Sequence, residues 1–239
     1  PNTGTCVGVI SNNDIKLDTI LSPAKSGRLL TSTVLGNNTP VTIRIKNLDD
    51  VPTTGNITVT YILNGGTPVE EDILNPLIAG GATLDHTFAT TINLSAAGTY
   101  TLETFISQTG DPVAENDTKT KIVKQLLNPS ITGIIPVSPF IDNFDAATIQ
   151  SYNTPEIGLT ALDRYDFVNS NSNGRIRTFI NTGIAYSGNR AITLDASINN
   201  AGTTDSLTGT YNLATYDAAT EDLRLDFRFK NHGQVDNGA

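Results

Sequence analysis

The stretch Leu94-Ser95-Ala96-Ala97-Gly98-Thr99-Tyr100-Thr101-Leu102 decides the reading of this chain. Its spacing, Leu-x-x-x-Gly-x-Tyr-x-Leu, is the sequence form of a tyrosine corner, in which a buried Tyr opens a strand and its hydroxyl bonds back to the corner before it. Such a corner belongs to sandwiches of antiparallel sheets. A turn follows at Gly110-Asp111-Pro112, and then Asn116-Asp117.

Working outward, strict alternation marks further strands. Val41, Ile43 and Ile45 share one face with Thr42, Arg44 and Lys46 on the other, and Ile57, Val59, Tyr61 and Leu63 repeat the pattern. Asn64-Gly65-Gly66 reads as a hairpin turn into Val69-Glu70-Glu71-Asp72-Ile73. Ile15, Leu17 and Ile20 give a first strand, Leu84–Phe88 another, 99–107 the corner strand, and 118–123 the last. That is about seven strands in roughly a hundred residues, the count of an immunoglobulin-like domain.

Composition agrees with an all-β chain. Charged residues make up only 16% of the 239 residues, and Thr, Asn, Ser and Gly, which favour strands and turns, take their place. The formal charge of −9 carries no basic cluster in the sequence, so nucleic acid is a poor partner. No apolar run approaches the ~18 residues of a spanning helix, so membrane insertion is not expected. The chain contains no Met and shows no signal peptide, and it reads as a fragment of a longer protein. Cys6 is the single cysteine, so a disulfide within the chain is excluded. It is either a buried or incidental thiol, or the partner of a Cys in an upstream domain.

Residues 12–128 resemble the extracellular adhesion-related domains of the CARDB kind. The resemblance rests on Val41-Thr-Ile-Arg-Ile-Lys-Asn47, Val59-Thr-Tyr-Ile-Leu-Asn64-Gly-Gly, Leu94-Ser-Ala-Ala-Gly-Thr-Tyr100 and Gly110-Asp111…Asn116-Asp117. These phrases are most similar to repeats of large secreted Bacteroidetes proteins, many of them exported by the type IX system and some active in surface adhesion and gliding. The resemblance implies an Ig-like sandwich used as a stalk or presentation module. Leu102 stands where the second Cys of an immunoglobulin bridge would be.

After an N-terminal coil (1–11) and this first sandwich, residues 129–139 form a Pro-containing linker, which could lie as an edge strand. Residues 140–239 form a second domain. Its strongest alternation is Leu223, Leu225, Phe227 and Phe229 against Arg224, Asp226, Arg228 and Lys230. Weaker strands are expected at 176–180, 191–195 and 206–213, and single helical turns at 146–152 or 218–222. The order Phe140-Ile-Asp-Asn-Phe144-Asp145, then Tyr186-Ser-Gly188-Asn-Arg-Ala191-Ile-Thr-Leu, then Leu223–Phe227 is similar to the first part of MAM-like and lectin-like jelly rolls. The resulting fold class is all-β: an Ig-like β-sandwich followed by a partial jelly-roll β-sandwich.

The sequence offers little chemistry. His86 is expected as a solvated strand residue on the polar side of Leu84–Phe88, and His232 follows the long strand in a turn. Glu70-Glu71 and Glu221-Asp222 are adjacent in strands and point to opposite faces, so neither forms an acid/base pair. No Gly-x-Ser-x-Gly elbow supports a triad. Calcium is the one metal to weigh, because Asn/Asp turns supply oxygen ligands. The loop Gly110–Asp117 reads better as Asx turns. Asp142 and Asp145 are the calcium candidates, implied by jelly rolls that clamp an ion with their opening strand. Tyr152, Tyr165, Tyr186 and Tyr216 are the aromatic positions a sugar site would draw on. Asp18-Thr19-Ile20 and Asp205-Ser206-Leu207 resemble the O-glycosylation acceptor motif of Bacteroidetes secreted proteins, which makes Thr19 and Ser206 glycosylation candidates.

These readings converge on a non-enzymatic structural or adhesive module of a secreted cell-surface protein. The alternative is a carbohydrate-binding module of a secreted hydrolase. No cofactor is expected other than calcium. The expected partners are neighbouring domains of the same polypeptide, surface glycans or other cell-surface proteins.

Overall fold

The computed structural model describes residues 13–27, 35–135, 138–169, 174–180, 185–196 and 204–230. Cys6, His232 and the N-terminal coil lie outside them. The described residues divide into two compact units, one built from those up to Gln125 and one from those after it.

The first unit is an all-β sandwich. One sheet pairs β1 (Ile15–Ser22), β3 (Thr42–Asn47) and β6 (Thr83–Thr87) in the order β1-β3-β6. The other has the order β2-β8-β7-β4-β5, from β2 (Ser26–Gly27), β4 (Ile57–Leu63), β5 (Val69–Ile73), β7 (Gly98–Gln108) and β8 (Thr118–Gln125). Every ladder is antiparallel except the two-residue β2–β8 pairing. All the strands read from alternation in this half of the chain are present.

Alternation explains the core. Ile15, Leu17, Ile43 and Ile45 from one sheet, and Ile57, Val59, Leu102 and Val123 from the other, are fully buried. Burying one such side chain contributes about 1.5–3 kcal/mol. Tyr61 meets Phe88 edge to face at 4.9 Å, a further tie between the sheets. At the hairpin, Asn64 (φ 52°) and Gly65 (φ 66°) both take the positive φ that a primed turn requires. The loop after β3 is held from inside by Asn47, which is fully buried. Its Nδ2 donates to the carbonyls of Val51 (2.7 Å) and Ile78 (2.9 Å), and its Oδ1 accepts from the Asp49 amide. Gly80 beside it cannot be replaced, since a Cβ there would lie 2.3 Å from the Asp50 carbonyl oxygen.

The tyrosine corner closes as its spacing requires. Tyr100 Oη donates to the Ala96 carbonyl at 2.7 Å, at the mouth of β7. The ring is half-buried, less enclosed than the motif implies.

The second unit is also all-β. β9 (Ser151–Tyr152), β11 (Gly174–Ile180) and β12 (Arg190–Ala196) form one small sheet, and β10 (Tyr165–Asn169) pairs with β13 (Asp205–Gly209) in another. Its core gathers Ala147, Tyr152, Leu159, Leu162, Tyr165 and Phe167, with Phe144, Ile192, Leu207 and Tyr211 packed against it. The stretch read as a linker is tied to this unit. Ile131 is buried, its amide donates to the Asn212 carbonyl at 2.9 Å, and Asn212 Nδ2 donates to the Asn128 carbonyl.

Two segments depart from what alternation suggests. β10 was not read as a strand, although Phe167 is fully buried in it. Residues 223–230, the strongest alternation in this half, belong to no strand, and Leu225, Phe227 and Phe229 are 79%, 72% and 78% exposed. Alternation sets which side of a segment is apolar, but a strand exists only where a neighbouring backbone takes up its N–H and C=O groups. Among the described residues none does so for this segment. Of the single helical turns read at 146–152 and 218–222, the second is present, the Glu221 amide donating to the Asp217 carbonyl at 2.8 Å. The first is a tight turn closed by the Ala147 amide on the Phe144 carbonyl; the assigned helical element among the described residues is a 3₁₀ turn at Ala114–Asn116.

Candidate functional site

The sequence places its metal candidates at the start of the second unit, and there the structure joins two motifs that stand apart in the chain. Asp145 reaches the Ser187-Gly188-Asn189 turn that opens β12. Its Oδ1 accepts the amides of Asn189 (2.8 Å) and Arg190 (3.1 Å), while its Oδ2 accepts Asn143 Nδ2 (3.0 Å). Gly188 (φ 68°) is required for this approach, because a Cβ there would fall 2.2 Å from Asp145 Oδ2. The Phe144-Asp145 and Ser187-Gly188 phrases are therefore two halves of one clamp.

Asp142 turns elsewhere. Its Oδ2 accepts the Tyr165 hydroxyl at 2.9 Å, and its Oδ1 accepts the Phe144 amide at 3.4 Å. Tyr165 also shares a 2.6 Å hydrogen bond with the Tyr211 hydroxyl. Burial, reinforced by Tyr211 and then the Asp142 charge, pushes the Tyr165 hydroxyl pKa far up, so it stays a donor. Arg164 lies over the rings of both Phe140 (5.3 Å) and Tyr211 (5.4 Å). All four carboxylate oxygens of Asp142 and Asp145 thus already accept donors, and the two carboxylates are turned to different partners. Among the described residues no three His, Cys, Asp or Glu side chains are grouped to hold a metal.

The aromatic candidates separate by burial. Tyr152 and Tyr165 are core residues, and the half-buried Tyr216 accepts the Ile134 amide at 2.7 Å. Tyr186 is 75% exposed, with the Arg228 guanidinium 5.0 Å from its ring centre. Thr19 is half-buried in β1 and Ser206 is exposed in β13.

His86 needs correction. It shares a face with Leu84 and Phe88, since residues two apart in a strand point the same way. It is half-buried, edge-on to Phe88 at 5.1 Å, and its Nε2 is 3.0 Å from Glu71 Oε2. The other oxygen of Glu71 accepts the Ala89 amide, so this pair links β5 to the end of β6. Glu70 is exposed on the opposite face, as adjacency in a strand dictates.

One titratable group was missed. Asp117, only 6% exposed, has a buried Oδ1 with no hydrogen-bond partner. Desolvation first, then the charges of Asp111 and Asp14, push its carboxyl up to about 7. Asp111 itself is tied to backbone, its Oδ2 accepting the Ile15 amide and its Oδ1 the Val113 amide, and Asp14 Oδ1 accepts Asn116 Nδ2. The Asx-turn reading of this loop accounts for Asp111 but gave no sign of Asp117, whose burial comes from the fold of β7 and β8 together.

No family model matches the chain, and no curated protein matches it. Similar solved structures include the CARDB domain of the PF1109 protein of Pyrococcus furiosus, solved in complex with di-metal ions. It is 16% identical with a TM-score of 0.33, over 48% of this chain and 91% of that one. A β-glucosidase of Listeria innocua in complex with isofagomine is 16% identical with a TM-score of 0.26, over 47% of this chain and 16% of the enzyme. A superoxide reductase (neelaredoxin) of Ignicoccus hospitalis is 13% identical with a TM-score of 0.26, over 49% of this chain and 86% of that one. Likenesses this low assign neither ligand nor activity to the chain.

Proposed function

We propose that this chain is a non-catalytic structural or adhesive module of a secreted cell-surface protein, its first unit a spacer and its second a ligand-presenting domain of jelly-roll kind. The observation that supports this reading most is where the polar side chains go. Asn47, Glu71, Asp111, Asp145 and Tyr100 each bond to backbone groups of loops and turns. These side chains hold the sandwich ends, which suits a module that must stay folded between neighbours; Asp117 is the titratable exception. Among the described residues no helix is long and apolar enough to cross a membrane. Glycosylation at Thr19 and Ser206, calcium at Asp142 and Asp145, and export to the cell surface belong to the same proposal.

The alternative, a carbohydrate-binding module, is favoured by one observation: Tyr186 offers an exposed ring flanked by Arg228.

Beads coated with the purified chain test the proposal. Capture on cell surfaces or polysaccharide, with no turnover of glycoside or ester substrates, is the expected outcome. Polysaccharide binding abolished by Tyr186→Ala favours the alternative. Hydrolysis abolished by a single substitution in the chain overturns both. Hexose-sized mass additions on the Thr19 and Ser206 peptides from the native host, and a chelator-sensitive melting of the second unit, would support the finer parts. Their absence removes those parts and leaves the spacer reading standing.

A further inference from the structure

Lys25 and, nearly a hundred residues later, Lys119 and Lys121 of one strand line the same cleft in the first unit. A cleft of about 350 Å³ is lined by Asp18, Thr19 and Ile20 of β1, by Lys25 just before β2, and by Lys119, Thr120 and Lys121 of β8. It lies where β1, the edge of one sheet, faces β8 of the other.

The two lysines of β8 lie on the core-side parity of their strand, Lys121 half-buried and Lys119 exposed at its outer end. In the β7–β8 ladder, Lys119 is opposite Thr104, Lys121 opposite Leu102 and Val123 opposite Tyr100. Leu102, Thr104 and Val123 are all buried, so Lys119 and Lys121 occupy the inward face of β8 where apolar side chains would continue the core. Lys121 Nζ is held by the Ile20 carbonyl at 2.9 Å, directed across the cleft. Burial, and next the charge of Lys25, lowers the Lys121 pKa, so Lys25 and Lys121 repel each other. The carboxylate in the lining, Asp18, is engaged by Lys16 at 2.8 Å.

Inward-facing lysines on a sheet edge do protect it from pairing with other chains. That role is local to the edge strand itself. It does not account for a third lysine converging from outside β8, or for a cleft of this size among the three, in a chain of net charge −9.

We propose that the cleft between β1 and β8 binds an oxyanion, a carboxylate, sulfate or phosphate group, seated on Lys25, Lys119 and Lys121. Such a group relieves the repulsion and makes charge-assisted hydrogen bonds to all three. The chemistry is the same whether the group is a free ion or a substituent of an acidic polysaccharide. The inference is independent of the spacer or carbohydrate readings, since it uses none of the second unit.

The test is a titration of the full chain, isotope-labelled, followed by NMR. Sodium sulfate and sodium glucuronate are added in separate series against sodium chloride at matched ionic strength. The expected result is saturable shifts at Lys25, Lys119, Thr120 and Lys121, with Arg44 and Lys46 unmoved. Lys119→Gln should weaken binding about tenfold. Because Lys119 is exposed, this variant keeps the fold even where Lys121→Gln does not. Linear shifts shared by chloride and spread over all basic residues would overturn the proposal. So would binding of a sulfated polysaccharide with no response to either small ion, since diffuse attraction needs no seat.

Discussion

Replacing Asp117 by Asn should make the first unit more stable at neutral and alkaline pH and leave it nearly unchanged in acid. The carboxyl is buried beside Asp111 and Asp14, its Oδ1 has no donor, and it is pushed up to about 7. An unfolded Asp titrates near ~3.9. Between those values the folded state holds the proton and the unfolded state has lost it, so stability falls as pH rises from about 4 to about 7. Above pH 7 both states are ionised and the contribution is gone. A gap of about three pH units corresponds to a ceiling of about 4 kcal/mol at ~1.36 kcal/mol per unit. Relaxation of the loop around the ionised group and the unpaired amide that Asn would itself bury offset part of this, so about 1–2 kcal/mol is the working figure.

Asn keeps the shape and removes the charge that must otherwise be buried, so it should recover that 1–2 kcal/mol at pH 8 and none at pH 4. Native-state hydrogen exchange along β7 reports the first unit alone, which a melting curve of two units would not. Loss of stability in Asp117→Asn at pH 8 would refute the reasoning. It would mean that the ionised carboxylate is favourably held there, as a bound cation would do, and the Gly110–Asp117 loop would return as a calcium site.

Tyr100→Phe removes the corner hydrogen bond to Ala96 and should cost about 1 kcal/mol in urea denaturation, with the same m-value; no loss would show that the corner is packing alone. Gly188→Ala should unlock Asp145 from the Asn189 and Arg190 amides and accelerate exchange in β12, while β7 stays protected. If Asp145→Ala and Gly188→Ala add instead of overlapping, the two residues are not one clamp.

The first sandwich was legible because its signals are local. Val41, Ile43 and Ile45 declare a face by themselves, and Tyr100 finds its acceptor four residues away. The residues that were misread depend on distant chain. Lys119 and Lys121 share a strand face that the sequence displays, but only the fold brings Lys25 and β1 to them. Asp117 looks like any loop Asp until the ladder encloses it. Asp145 reads as a calcium candidate, and what the structure gives it is a different role: its oxygens meet the amides of a turn more than forty residues away, and nothing local names that partner. His86 is a different case: its parity with Leu84 and Phe88 was available in the sequence, and the strand rule places it inward.

Residues 223–230 show where pattern reading stops. Four apolar and four polar side chains alternate without a fault, yet the segment is exposed and unpaired among the described residues. Binary pattern is a property of one strand, while a ladder is a property of two. β10 makes the converse point. Tyr165-Asp-Phe-Val-Asn169 alternates poorly, with Val168 54% exposed, yet it is a strand because β13 pairs with it in register from Tyr165↔Gly209 to Asn169↔Asp205. Exposed apolar spacing without a ladder and weak spacing with one lie in the same unit, so in this half of the chain the available partner decides which segment becomes sheet.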